Sequence, residues 1–203
     1  MRLFLALELP DIVRQRLTKL SKTTQEYWAD ELAERGIAGR EVPAPSWVRP
    51  ENLHVTLKFF GEVPDSDLPV LCRALEGAHG AGIIRLVPDR TVCLPPRGPI
   101  RVISVGLSGE LERLHQIHRQ IEEWCEPIGF RPERRPLTPH ITVSRVKGWI
   151  PSYMREKLKK IGSVHLPAPQ FDVCEFVLMQ SHLDPKGARY VPAARFPLQA
   201  PGS

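Results

Sequence analysis

Two short segments of this chain share a pattern that constrains how it can fold: His54-Val55-Thr56 and His140-Ile141-Thr142. Each lies in a run of apolar and β-branched residues, a composition that favours a strand. In a strand, residues two apart project from the same face, so each run presents an imidazole and a hydroxyl together. Because the two runs lie in opposite halves of the chain, we expect a fold that brings two such strands together across a cleft.

The charge distribution points to an anionic partner. The 203-residue chain is 42% hydrophobic and 25% charged, as in water-soluble globular proteins, and its formal net charge is +5. Much of the positive excess flanks the second motif, at Arg131, Arg134, Arg135, Arg145 and Lys147. We interpret this basic segment as attracting phosphate.

The cysteines and the N-terminus bear on the cellular compartment. No C-x-x-C pair occurs among the four cysteines, so neither a zinc knuckle nor a redox motif is predicted. Glu8 and Pro10 interrupt the apolar N-terminal run, unlike in a signal peptide, and no run is long enough to span a bilayer. We therefore expect a cytoplasmic protein that makes no membrane contact.

Strand-like and helix-like patterns alternate along the chain. Helices are predicted at 11–36, 65–78, 109–127 and 152–161, and strands at 3–9, 83–87, 101–105, 171–179 and 190–196, besides the two motif strands. We predict an α+β fold of two small, mainly antiparallel sheets flanking a central cleft, with helices outside. We expect residues 1–203 to form a single bilobal domain.

The paired units suit hydrolysis of a phosphodiester without a metal ion. Because the pKa of histidine is about 6.5, one imidazole can take a proton from water while the other, protonated, gives one to the leaving oxygen. Thr56 and Thr142 can donate hydrogen bonds to phosphate oxygens and hold the group in line for attack. Arg145, or the loop 131–135, can balance the negative charge that develops.

The other histidines have structural interpretations. His115 and His118 lie at helical spacing, but a di-metal site would need a second Glu-x-x-His unit and a four-helix bundle. His79 and His165 lie in or near loops and are expected at the surface. His182 follows a closing strand and could approach the cleft.

Aromatic residues could stack on a terminal base. Strand alternation puts either Phe59 or Phe60 in the core, so Trp47 and Tyr190 are the favoured stacking residues. The chain has no P-loop, dinucleotide-binding or serine-hydrolase motif, and no cofactor is predicted.

Residues 50–63 and 138–146 resemble the paired signatures of the two-histidine phosphoesterases and, more narrowly, the bacterial and archaeal RNA 2′,3′-cyclic phosphodiesterase (LigT-like) family. The opening segment 2–7 and the ending 180–190 are also similar to that family. The resemblance implies metal-independent and cofactor-independent hydrolysis of RNA 2′,3′-cyclic phosphate ends to 2′-phosphomonoesters. It further implies that His54 is the proton donor and His140 the proton acceptor, with Thr56 and Thr142 on the phosphate.

Alternatives remain open at this point. The same site could act on another cyclic or 2′-linked nucleotide, or run in reverse as a 2′–5′ RNA ligase. A non-catalytic module that binds RNA ends is a third possibility, although binding alone would not require both histidines. We expect a monomer.

Overall fold

The structure, a computed structural model, describes residues 1–34, 45–78, 80–150, 154–184 and 187–198. The helices are α1 (Asp11–Glu34), α2 (Leu68–Leu75), α3 (Leu111–Cys125) and α4 (Met154–His165). The strands are β1 (Arg2–Glu8), β2 (Ser46–Trp47), β3 (His54–Glu62), β4 (Ile84–Leu94), β5 (Ile100–Gly109), β6 (His140–Ile150), β7 (Phe171–Val173), β8 (Glu175–Asp184) and β9 (Gly187–Pro197). All strand pairs in the described segments are antiparallel. The predicted α+β class is confirmed.

The strands form two halves that meet at the motif strands. The strand order is β7-β4-β5-β6-β3-β1-β8-β9, with β2 on β6. We call β3, β1, β8 and β9 the first lobe, and β7, β4, β5, β6 and β2 the second lobe. A single backbone pair, Val55 with Ile141, joins β3 to β6. The two predicted sheets are therefore joined edge to edge at the central residue of each motif.

Each lobe contains the same strand–helix–motif strand unit. In the first lobe α1 connects β1 to its neighbour β3, and in the second α3 connects β5 to its neighbour β6. Leu3, Leu5 and Leu7 of β1 share one face of the sheet and pack in the main core, which includes residues of α1, α2 and α3. The buried residues of α3 recur at helical spacing, at Leu114, Ile117, His118, Ile121 and Cys125.

Two strand predictions differ from the structure. The predicted strand 171–179 is split at Cys174, so that β7 pairs with β4 in the second lobe while β8 pairs with β1 in the first. The chain thus crosses between the lobes where its pattern looks continuous. The arms β4 and β5 are also longer than predicted, because a bulge between Pro88 and Arg90 lets pairing continue past the proline.

Irregular pairing in β3 changes which of its side chains are buried. The register with β1 shifts twice, so Leu57 and Lys58 are both buried whereas Phe59 is 60% exposed. The Lys58 ammonium lies on the helix side of the sheet, where it forms an ion pair with Glu122 of α3 and donates to the Arg131 carbonyl oxygen at 3.1 Å. A first-lobe strand is thereby tied to second-lobe elements. None of the described helices is long and apolar enough to cross a membrane.

Candidate active site

The joint between β3 and β6 orients both motifs. Val55 and Ile141 are fully buried in the core. Since side chains alternate along a strand, the residues on either side of each point the opposite way, into the cleft. Extending the antiparallel register by one residue sets His54 across from Thr142, and Thr56 across from His140. Each imidazole thus faces the hydroxyl of the other motif.

The same backbone contact fixes both imidazoles. His54 Nδ1 lies 2.7 Å from the Asn52 carbonyl oxygen, and His140 Nδ1 lies 2.7 Å from the Thr138 carbonyl oxygen. A carbonyl oxygen only accepts hydrogen bonds, so each Nδ1 carries a proton and donates it. Nε2 is therefore the nitrogen of each ring that is free to exchange a proton. In neutral His54, Nε2 accepts a hydrogen bond from the Thr56 hydroxyl at 3.0 Å.

Four of the five predicted site residues line one cavity of about 430 Å³: His54, Thr56, Thr142 and Arg145. The fifth, His140, is half-buried at the start of β6 and is not part of that lining. Extending the register places it across from Thr56, which does line the cavity. The remaining lining residues are Arg2, Leu3, Phe4, Val48, Asn52, Phe59, Gly61, Ser181, Ala188 and Tyr190.

The electrostatic environment of His54 disfavours its protonated form. Burial lowers the pKa of His54, the hydrogen bond to the Asn52 carbonyl opposes this, and the charges of Arg145 and His140 lower the pKa further. The lowered pKa favours the neutral form of His54 at pH 7. A bound phosphate would raise the pKa, because a nearby negative charge favours the imidazolium.

The first-lobe wall of the cleft is aromatic. The centroid of the Phe4 ring lies 5.0 Å from that of His54 and 4.9 Å from that of Tyr190. The Phe59 ring centroid lies 6.0 Å from that of Phe4. The Tyr190 ring also contacts His54 edge-on at 5.3 Å. Trp47, the other residue expected to stack on a base, instead packs against the core. Phe59 lines the cleft, whereas Trp47 does not. Strand alternation alone does not predict the position of Phe59, because that position depends on the irregular register of β3 with β1.

On the second-lobe side, the strand residues that line the cleft are Thr142 and Arg145 of β6. On β5, Ser104 lies opposite Thr142, and Gly106 lies opposite His140. The Ser104 hydroxyl is fully buried and donates to the Val92 carbonyl oxygen at 3.0 Å. The two lobes therefore repeat the motif strands but line the cleft differently.

Contrary to expectation, the basic loop 131–135 does not line the cleft. Arg134 and Arg135 line a separate cavity against α3, together with His115 and His118. Of the two suggested sources of positive charge, Arg145 lies in the catalytic cleft and the 131–135 loop does not contribute to its lining. Packing of the loop against α3, which no local pattern reveals, accounts for the difference.

The other four described histidines, His115, His118, His165 and His182, do not line the cleft. His118 is buried on α3, and His165 is within hydrogen-bond distance of the Thr23 hydroxyl at 3.0 Å. His182 is exposed, although its neighbour Ser181 lines the cleft. His79 is outside the described residues. Across the described part of the chain, no group of three or more His, Cys, Asp or Glu side chains could hold a metal ion.

Two neighbouring strands that each present a His-x-Thr motif toward one cleft are characteristic of the two-histidine phosphoesterases. The sequence model of the 2′-5′ RNA ligase superfamily matches residues 21–185. The chain belongs to that family.

Named relatives and solved structures agree with this assignment. An RNA 2′,3′-cyclic phosphodiesterase of Methanothermobacter thermautotrophicus is 31% identical, over 93% of this chain and 94% of the relative. One of Geobacillus stearothermophilus is 30% identical over 80% of this chain, which spans only 51% of that longer relative. The crystal structure of TT0787 of Thermus thermophilus has a TM-score of 0.73 and 26% identity, covering 98% of both chains. Escherichia coli LigT in its apo form, at 24% identity and a TM-score of 0.68, shares the fold over 98% of both chains.

Proposed function

We propose that this protein hydrolyses the terminal 2′,3′-cyclic phosphate of RNA to a 2′-phosphomonoester, using two histidines and no metal ion. The observation that carries the proposal is the pair of motif imidazoles, whose tautomers are fixed by the backbone carbonyls of Asn52 and Thr138. Relatives named RNA 2′,3′-cyclic phosphodiesterase that align over more than nine-tenths of this chain support the same substrate.

The unlike walls of the cleft suggest how the substrate lies. Phe4, Phe59 and Tyr190 offer an apolar, aromatic wall to a nucleoside on the first-lobe side. The ribose and its 3′-oxygen would then lie beside His54. In-line attack requires the water to approach from the opposite side, which is the side of His140.

This orientation gives each histidine a role. His140 Nε2 takes a proton from water as the water oxygen bonds to phosphorus. The bond between phosphorus and the 3′-oxygen breaks, and protonated His54 Nε2 gives its proton to that oxygen. The products are a 2′-phosphomonoester and a free 3′-hydroxyl. His54 becomes protonated when the anionic substrate binds, because the substrate charge offsets the nearby Arg145.

The hydroxyls and the guanidinium complete the site. Thr56 and Thr142 each donate a hydrogen bond to a non-bridging phosphate oxygen and keep the group in line. The Thr56 hydroxyl, which donates to Nε2 of neutral His54, turns to the phosphate when the imidazole is protonated. Arg145 balances the charge that develops on the phosphate.

The reaction is tested with a short RNA that ends in a 2′,3′-cyclic phosphate, in excess EDTA, with mapping of the product ends. We expect turnover to a 2′-phosphate. A 3′-phosphate product would reverse the orientation proposed above. Binding without turnover would instead favour a non-catalytic module that recognises RNA ends.

A substrate whose leaving group needs no proton distinguishes the role of His54 from that of His140. The activated diester bis(4-nitrophenyl) phosphate releases nitrophenolate, which needs no proton from the enzyme. His54→Ala should lower activity on both substrates by different factors. We expect the factor to be at least 10-fold smaller for this diester than for the cyclic phosphate, because only the cyclic phosphate needs the acid. His140→Ala should lose activity on both substrates, and His115→Ala, outside the cleft, on neither. Equal losses for His54→Ala on the two substrates would contradict its role as the acid.

The cysteines support a location in a reducing compartment. All four are unpaired thiols: Cys72, Cys93, Cys125 and Cys174. Since disulfides are common in exported proteins and rare in the cytosol, a cytoplasmic location is part of the proposal.

A further inference from the structure

A second groove of about 360 Å³ continues from the catalytic cleft. Three residues, Asn52, Ala188 and Tyr190, line both the cleft and this groove. A ligand that fills the cleft can therefore extend past Tyr190 along a continuous surface. We call this second space the Arg49–Arg189 groove, after the two arginines in its lining.

The described lining of the Arg49–Arg189 groove has a net positive charge. Both arginines are exposed, and Glu51 is the one acidic residue among the described lining residues. The Arg49 guanidinium lies beside Gly187, the first residue of β9. Its Nη2 is 3.9 Å from the position that a Cβ on Gly187 would occupy. Guanidinium groups match the geometry of phosphate oxygens and remain charged at all relevant pH values. The groove thus suits a phosphate.

One residue connects the groove to the catalytic imidazole. The Asn52 side-chain amide donates to the Ala188 carbonyl oxygen at 2.7 Å, which holds β9 against the turn that precedes β3. The Asn52 backbone carbonyl accepts the hydrogen bond from His54 Nδ1. The groove wall and His54 are therefore held at a fixed separation.

We propose that the Arg49–Arg189 groove binds the phosphodiester next to the terminal nucleotide, so that the preferred substrate is the 3′ end of an oligonucleotide and not a free cyclic nucleotide. A cyclic mononucleotide has one phosphate, which the catalytic residues occupy, and it has no group left to reach the groove. RNA supplies a further negative charge with each added nucleotide. This inference rests on the proposed function and adds a subsite to it.

The test compares uridine 2′,3′-cyclic phosphate with a trinucleotide that ends in the same cyclic uridylate. We expect kcat/KM to be at least 10-fold higher for the trinucleotide. The variants Arg49→Gln and Arg189→Gln should lower this preference, whereas Arg73→Gln, an exposed arginine of α2, should retain it. For the trinucleotide, the slope of log kcat/KM against log salt concentration is negative. Its magnitude should decrease by about 0.7 for each phosphate contact removed.

A trinucleotide with one uncharged linkage distinguishes the effect of substrate charge from the effect of substrate length. A trinucleotide with a methylphosphonate at the linkage next to the terminal nucleotide keeps its shape but loses that charge. We expect this substrate to lose most of the preference in the unmodified protein and to be insensitive to Arg49→Gln and Arg189→Gln.

Two results would overturn the inference in distinguishable ways. Equal kcat/KM for the mononucleotide and the trinucleotide, or full preference retained with the methylphosphonate, would remove the subsite and leave the proposed function standing. Turnover of none of the three substrates would remove the proposed function and the subsite with it.

Discussion

The buried ion pair between Lys58 and Glu122 predicts a large and specific loss of stability. Lys58 is 1% exposed, and the Glu122 side chain is 12% exposed. In a Lys58→Met variant the Glu122 carboxylate stays buried without its cation, and the Arg131 carbonyl oxygen loses its donor. The His118 Nε2 lies 3.4 Å from Glu122 Oε1, which has no hydrogen-bond partner among the described residues.

The expected cost follows from leaving one charge of a buried pair without its partner. Such a change destabilises proteins by about 3–5 kcal/mol. In a protein of this size each kcal/mol lowers Tm by about 2–4 °C, so we expect a fall of about 6–20 °C. The double variant Lys58→Met/Glu122→Leu removes both charges and should recover most of this loss, because apolar replacement of a whole buried pair is often neutral.

The measurement is thermal and urea unfolding of the unmodified protein, the single variant and the double variant. Lys159→Met is the matched control, since Lys159 pairs with Glu156 on an exposed face of α4 and should change Tm little. The reasoning is refuted if Lys58→Met is as stable as Lys159→Met. It is also refuted if the double variant is no more stable than Lys58→Met.

Three further predictions concern the site and the backbone. Arg145→Met should raise the pKa of His54, measured by NMR titration of its imidazole, because a positive charge that disfavours protonation is removed; an unchanged or lower pKa would contradict this. Gly109→Ala and Gly129→Ala both place a side chain at positive φ, 103° and 98°, at a cost of about 1–2 kcal/mol. Gly109→Ala should cost more in urea unfolding, since its Cβ would overlap the Arg85 carbonyl oxygen while nothing lies within 4 Å at Gly129; equal losses would refute the steric explanation. Excess EDTA should leave turnover unchanged, and activity lost to EDTA and restored by one added metal would count against the two-histidine mechanism.

Sequence reasoning works here where a local pattern determines the outcome. Alternation in the two motif runs predicts that each histidine and threonine share a face, and in the first motif His54 and Thr56 do line the same cavity. The apolar spacing at 109–127 likewise predicts a helix, and α3 spans Leu111–Cys125. These features need only the periodicity of a single element.

Features that depend on partners are not predictable in this way. The exposure of Phe59 and the burial of Lys58 follow from the register between β3 and β1. The split at Cys174 reflects two different partner strands. The path of the Arg134–Arg135 segment depends on α3. In each case the deciding contact lies far away in the sequence.

The most direct test of the central claim is whether the two histidines act as one catalytic unit. The quantity to measure is kcat/KM on the cyclic-phosphate RNA for His54→Ala, His140→Ala and the double variant. We predict a loss of at least about 100-fold for each single variant, with the double variant close to the slower of the two, because residues that act together are not additive. Single variants close to the unmodified protein, or a double variant whose loss is the product of the two single losses, would contradict a shared two-histidine site.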